Sequence, residues 1–166
     1  MNDLIIREPK ENETQEIHQL LLELAEFEKI SSTVIANQES THNALFSNKP
    51  SAHCLIALLD NEIVGVAIYF FNYSTFIGRR GLYLEDIYIR EKYRGKGIGS
   101  KMMVSLAEIA NKSNCGRMEW TVLDWNNKAI SFYENIGAEI LEDWKIVRMN
   151  KDSICKLSNR NNLTVT

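Results

Sequence analysis

The sequence predicts a mixed α/β domain, with a central sheet carrying helices on both faces. Three observations predict it. Two stretches, one ending at Phe27 and one running through Met102, Met103, Leu106, Ile109 and Ala110, place apolar residues at helical spacing. Between them, Cys54 to Tyr73 reads as two antiparallel strands about a turn. Finally, Leu82 to Ser100 reads as a strand, then a glycine-rich turn, then the start of a helix. Hairpin strands followed by strand-helix alternation call for one mixed sheet covered on both sides.

In chain order, Leu4-Ile5-Ile6 predicts a short first strand, stopped by Pro9. Ile17, Leu20, Leu21, Leu24 and Phe27 form the apolar stripe of an acidic helix. A second, short helix is expected over Glu39 to Phe46. Cys54 to Leu59, an Asp60-Asn61 turn and Ile63 to Tyr73 make the hairpin. Gly65 inside its second strand predicts a bulge or a close backbone approach. After the Leu82–Arg90 strand and the glycine turn, the helix is expected to run to about Ser113. Gly116 to Leu123 reads as a strand. Asp124-Trp125-Asn126-Asn127 turns the chain, and an asparagine there can cap a helix ending at Gly137. Trp144 to Met149 is expected as a closing strand. Residues 1–150 then form one domain, and residues 151–166, rich in Asn and Ser, a polar tail without fixed structure.

Composition removes several function classes. The chain has 166 residues, 45% hydrophobic and 25% charged, ordinary for a soluble globular protein. Its net charge of −3 gives no general pull toward nucleic acid or an anionic membrane. Arg90, Lys92, Arg94 and Lys96 form a basic patch on that acidic background, which suits a small polyanion. Cys54, Cys115 and Cys155 are scattered and odd in number, so neither a disulfide framework nor a metal site is expected. They fit a reducing cytoplasm. No signal segment and no membrane-spanning run is read from the sequence. His42 and His53 lack ligand-spaced partners and are expected to pack.

The chemistry concentrates at Arg94-Gly95-Lys96-Gly97-Ile98-Gly99-Ser100. Glycines let a backbone approach a ligand, and the first turn of a helix carries N–H groups with no internal acceptor. With the helix dipole they make an anion site. The spacing fits neither a P-loop nor the dinucleotide fingerprint Gly-x-Gly-x-x-Gly. It resembles the acetyl-CoA pyrophosphate loop of the GNAT acetyltransferase superfamily. Tyr83 to Tyr88, Tyr93-Arg94-Gly95, Gly97 to Ser100, Asp124-Trp125-Asn126 and Phe132-Tyr133 with Gly137-Ala138 extend the resemblance over residues 4 to 150. Together they resemble the diamine acetyltransferase branch, which holds the spermidine/spermine and thialysine acetyltransferases. Tyr73-Ser74-Thr75 and Leu123 to Asn126 lean toward the thialysine side.

The resemblance implies a GNAT fold, acetyl-CoA as co-substrate, a homodimer, and direct transfer of an acetyl group to a primary amine in a ternary complex. Amine acetylation needs a base, because an alkylamine keeps its proton to about pH 10.4. Glu85, in the strand that feeds the glycine turn, is the candidate; strand alternation would send Asp86 to the opposite face. Tyr133 is the candidate acid for the departing thiolate, as the resemblance implies. The acetyl carbonyl would meet a backbone N–H in the strand around Ile87, Tyr88 and Ile89. Arg94, Gly95, Lys96, Gly97, Ile98, Gly99 and Ser100 would hold the pyrophosphate, with Asn126, Asn127, Lys128 and Ala129 along the rest of the cofactor. Phe27, Glu28, Glu85, Glu119, Trp120 and Thr121 would line a site for a small cationic acceptor: a diamine, a polyamine or a lysine-like amino acid. Two other functions fit less of the sequence: acetylation of proteins or peptides, and a CoA-binding sensor without turnover.

Overall fold

A computed structural model describes residues 3–160. The chain divides into two compact units, residues 1–121 and 122–166.

The first unit holds a five-stranded sheet in the order β1 to β5: Leu4–Arg7, His53–Leu59, Glu62–Ser74, Arg79–Ile89 and Arg117–Trp120. The first four pair antiparallel, and β5 joins β4 in parallel, so the sheet is mixed as expected. Asp60 and Asn61 both take positive φ, 52° and 67°, the backbone a two-residue hairpin turn needs. Beside Gly65 the β2–β3 register slips, and Val64 is the extra residue. A bulge is one of the two features predicted there.

Two helices sandwich the sheet. α1, Thr14–Phe27, presents Ile17 and Leu20, both fully buried, to Cys54, Ile56, Leu58, Ile63, Val66 and Ile68. These strand residues alternate, so they share one face. α3, Ile98–Lys112, buries Met102, Met103 and Leu106 and contacts β1, β2, β4 and β5. The residues of opposite parity, among them Leu55, Ala57, Leu82 and Leu84, are also buried. Hence β2 and the first half of β3 read as continuous apolar runs rather than alternating ones. α2, Gln38–Phe46, starts where Asn37 accepts the Ser40 N–H at 2.8 Å.

Phe27 and Glu28 stand at the end of α1. Lys29 adopts a left-handed backbone (φ 61°), and the Ile30 N–H reaches back to the Ala25 carbonyl at 2.9 Å. This C-terminal cap stops the helix and fixes both residues on its last turn.

The second unit contains α4, Asn127–Asn135, and α5, Lys151–Ser158. Asn126 caps α4 through the Ala129 N–H, and Gly137 (φ 93°) closes it, with the Ala138 N–H bonded to the Tyr133 carbonyl. Two expectations fail here. Trp144 to Met149 forms no ladder with any described strand, so the closing strand is absent. Its Trp144 and Val147 are 78% and 91% exposed, and a strand with no paired edge gains no hydrogen bonds. Residues 151–158 are helical instead of irregular: Asn150 caps the Ser153 N–H at 2.9 Å, Asp152 lies in the first turn and Lys156 in the last. The rest of the predicted tail, residues 161–166, lies outside the described residues. No described helix is long and apolar enough to cross a membrane.

Candidate active site

The glycine turn stands where the sequence puts it. β4 ends at Ile89, a 3-10 turn covers Glu91–Tyr93, and α3 starts at Ile98. Gly95 and Gly97 take φ of 75° and 76°, which L side chains avoid. A Cβ on either would meet nothing within 4 Å, so the outer surface of the turn is open. No described side chain caps the start of α3. Fifteen residues of helix thus begin, beside an open glycine turn, with N–H groups that no described side chain caps, an arrangement whose donors suit an anion.

The basic patch is only half what the sequence suggests. Arg90 is forked onto Glu23, at 3.0 to 3.2 Å, and also reaches Glu62 and the Ile63 carbonyl. Lys92 pairs with Glu62 at 3.2 Å. These two cations are held by carboxylates, so the patch facing the turn reduces to Arg94 and Lys96. Arg94 donates Nε to the Ile89 carbonyl at 2.9 Å, and its guanidinium lies 4.6 Å from the Phe27 ring centroid and 5.4 Å from that of Tyr88. Lys96 stands over the Tyr93 ring at 5.3 Å.

β4 supplies the next part. Ile68 pairs with Asp86 but Tyr69 pairs with Leu84, which leaves Glu85 as a bulged residue. β5 runs beside β4 only from Gly81 to Leu84. Beyond the bulge, Asp86 to Ile89 have β3 on one edge and no described strand on the other. Backbone groups on that edge around Ile87, Tyr88 and Ile89 can therefore reach a ligand.

The bulge also overturns the expectation for the carboxylate pair. Alternation should separate Glu85 from Asp86, but it does not persist through a bulge. Glu85 is exposed. Asp86 is the half-buried member and registers with Ile68, on the face where α1 packs. Burial, then the charge of Glu85, then that of Glu28 push its carboxyl up to about 6. Glu28 is raised as well, by burial. Asp86 is thus the group that sequence reasoning passed over. The usable signal was Glu85 itself, since two adjacent carboxylates in one strand are compatible with a bulge.

The β5 residues differ from expectation in two respects. Glu119 does share the Asp86 face, pairing with Tyr83 in register. Its carboxylate is already engaged: Asn72 Nδ2 donates to it at 3.2 Å, and Arg117 Nε lies 2.8 Å away. The Arg117 contact is an ion pair without hydrogen-bond alignment, and Asn72 Oδ1 is buried without a described partner. Trp120 registers with Leu84, and so takes the α3 face of the sheet, while Thr121 is exposed. Phe27 and Glu28 sit together on the capped end of α1.

In the second unit Tyr133 is buried on α4, with the Phe132 ring 5.4 Å from its own. Asn126 spends its side chain on the α4 cap, which places the N–H groups of Asn127, Lys128 and Ala129 on the first turn of that helix. His53 packs between Tyr69 and Phe71, and His42 pairs with Glu11 at 2.7 Å, so both are occupied. Burial pushes the Cys54 and Cys115 thiols up, the reverse of an activated nucleophile. A depression of about 470 Å³ near the start of α1, lined by Glu11, Asn12, Thr14, Gln38 and His42, contains none of the site residues expected from the sequence.

Comparison with known proteins agrees with this geometry. Residues 14–138 match the Acetyltransferase (GNAT) family. The chain is 37% identical to thialysine N-epsilon-acetyltransferase of Sus scrofa over 171 residues, covering 96% of this chain and all of that one. It is 28% identical to L-ornithine N5-acetyltransferase NATA1 of Arabidopsis thaliana, over 83% of this chain and 80% of the relative. Among solved structures, an integron cassette protein from the mobile metagenome of V. cholerae superimposes with a TM-score of 0.78 at 25% identity, covering 94% of this chain and 98% of that one. A strand that feeds an uncapped glycine turn, a bulged β4 freed from β5 and a family match over most of the chain lead to one conclusion: the chain belongs to the GNAT family and is an N-acetyltransferase.

Proposed function

We propose that this protein transfers the acetyl group of acetyl-CoA to the side-chain amine of a small cationic acceptor, within a ternary complex. The observation that carries the reading is the carboxylate cluster of Asp86, Glu28 and Glu85 on and beside the α1 face. Like charges around a half-buried carboxylate cost free energy, and a bound ammonium relieves that cost. An acidic or neutral acceptor would not. The thialysine and ornithine enzymes among the relatives act, by their names, on amino acids with a side-chain amine. A compact acceptor of that kind suits this chain better than a long polyamine, because Glu119 is already paired with Arg117.

Bound acetyl-CoA supplies the activated acyl group. The N–H groups of Gly95, Gly97, Gly99 and Ser100 would hold its pyrophosphate, together with Arg94, Lys96 and Ile98, and Asn126, Asn127, Lys128 and Ala129 its remaining length. Backbone N–H around Ile87 to Ile89 would meet the carbonyl oxygen. Glu85, exposed at the bulge, takes the amine proton through water. Tyr133 protonates the departing sulfur. Phe27, Glu28 and Thr121 would complete the acceptor wall, while Trp120, on the α3 face of the sheet, falls outside it. We place the catalytic domain at residues 1–150 and the protein in the cytoplasm, as a homodimer. The exposed apolar segment Trp144 to Met149 supports a second copy as its cover; light scattering on the eluted protein tests it.

A panel of amines with acetyl-CoA, read by thiol release, tests the function. Thialysine, lysine, ornithine and small diamines should turn over, spermidine more poorly. Efficient acetylation of an uncharged amine or a peptide N-terminus, with no turnover of cationic amines, overturns the reading.

A further inference from the structure

We propose that Glu62, on the β2–β3 hairpin and outside the substrate sites, is a positioning residue for the cofactor loop. Its carboxylate clamps the turn from which that loop springs. The inference rests on the reading of Arg94 to Ser100 as the CoA site.

The loop needs a clamp. Gly95 and Gly97 both take left-handed backbone, and glycine loses more freedom on ordering than other residues. A ligand that must order its own loop loses affinity in doing so. The segment before the loop is a three-residue 3-10 turn, Glu91–Tyr93, closed by two backbone hydrogen bonds, from the Tyr93 N–H to the Arg90 carbonyl and from the Arg94 N–H to the Glu91 carbonyl. Glu62 compensates from a rigid element. It opens β3 directly after the tight Asp60-Asn61 turn, paired with Leu59. Its Oε2 accepts from the Tyr93 hydroxyl at 2.5 Å, and its Oε1 from Lys92 at 3.2 Å and Arg90 at 3.4 Å. One carboxylate therefore holds both side chains of the turn's second half and the residue before the turn. Arg90 adds a second brace: its N–H donates to the Val64 carbonyl, and its fork grips Glu23 on α1. The Tyr93 hydrogen bond and Lys92 hold the Glu62 carboxyl below the ordinary carboxylate range, so the clamp is charged at neutral pH.

Glu62 is exposed, and exposed ion pairs contribute little to global stability. The clamp's effect belongs instead to local order in the loop. This separates it from a structural role.

The test measures CoA binding by calorimetry and thermal unfolding in parallel, for Glu62→Ala, Tyr93→Phe, the double variant and, as a control, Gly97→Val. The expected result is a Kd for CoA raised roughly two- to fivefold in Glu62→Ala. The rise is smaller in Tyr93→Phe, and the double variant is no worse than Glu62→Ala alone. Amide exchange over residues 94–100 should speed up while the unfolding midpoint stays. Tyr93→Phe removes a single oxygen, so it reports even if Glu62→Ala folds poorly. Wild-type Kd in both single variants, with weakened binding in Gly97→Val, overturns the clamp and leaves the loop assignment standing. A lowered midpoint with unchanged Kd reduces Glu62 to a surface contact and also overturns it. Unchanged Kd in all four variants overturns the loop reading, and the clamp with it.

Discussion

The guanidinium of Arg94 lies 4.6 Å from the ring centroid of Phe27. Arg94 begins the glycine turn, and Phe27 ends α1. Two sequence-distant segments, one expected to serve the cofactor and the other the acceptor, therefore share a contact. An exposed cation–π pair contributes roughly 0.5–1 kcal/mol.

Phe27→Leu should accordingly weaken CoA binding about two- to fivefold, although Phe27 lies outside the loop. Calorimetry checks this. A Phe27 that served only the acceptor would leave CoA affinity at its wild-type value.

Tyr133→Phe should keep the fold and CoA affinity and lower kcat by roughly 10²–10⁴-fold. Glu85→Gln should lower kcat/KM at neutral pH and recover in part at high pH, where the amine loses its proton unaided. Steady-state kinetics across pH decide it. Parent-like turnover in both variants would mean that other groups move the protons.

Asp86 gives the pH dependence a direction. Its carboxyl is raised from 3.8 to about 6 in the folded chain. The folded state thus holds its proton more tightly than the unfolded state. The associated stability is full below about pH 4 and lost as pH rises through about 6. Asp86→Asn should therefore stabilise the protein at pH 7–8, on the order of 2 kcal/mol or several degrees in unfolding midpoint, and not at pH 4. For the wild type, kcat/KM with a cationic acceptor should fall as pH drops through about 6, where this carboxylate loses its charge. A midpoint gain in Asp86→Asn that is equal at both pH values would assign the effect to packing.

Glu28 and Arg117 should act in opposite senses on the acceptor. Glu28→Gln removes an acceptor-side charge and should raise the acceptor KM. Arg117→Gln releases Glu119 from its 2.8 Å ion pair and should lower KM, each by roughly two- to fivefold with acetyl-CoA KM unmoved. Equal KM values in Arg117→Gln and the parent would place Glu119 away from the acceptor.

By itself the sequence determined the strand, glycine turn and helix around Leu82 to Ser100, the Asp60-Asn61 hairpin, the Gly65 bulge and the family. Each of these is local: a period, a turn dipeptide or a positive φ is encoded within a few neighbouring residues. It also marked Glu85, by its place in the strand that feeds the turn, and, through the family resemblance, Glu28 and Tyr133. What only the tertiary structure decided depends on pairing between distant segments. Arg90 and Lys92 look like free cations until Glu23 and Glu62 arrive from α1 and the hairpin. Glu119 looks available until Arg117 and Asn72 close on it. Glu85 and Asp86 alternate in any isolated strand, and only the register of β4 against β3 reveals the bulge that breaks the pattern. The Trp144 to Met149 segment has strand-like residues but no described strand beside it, and a strand exists only where another backbone completes its hydrogen bonds.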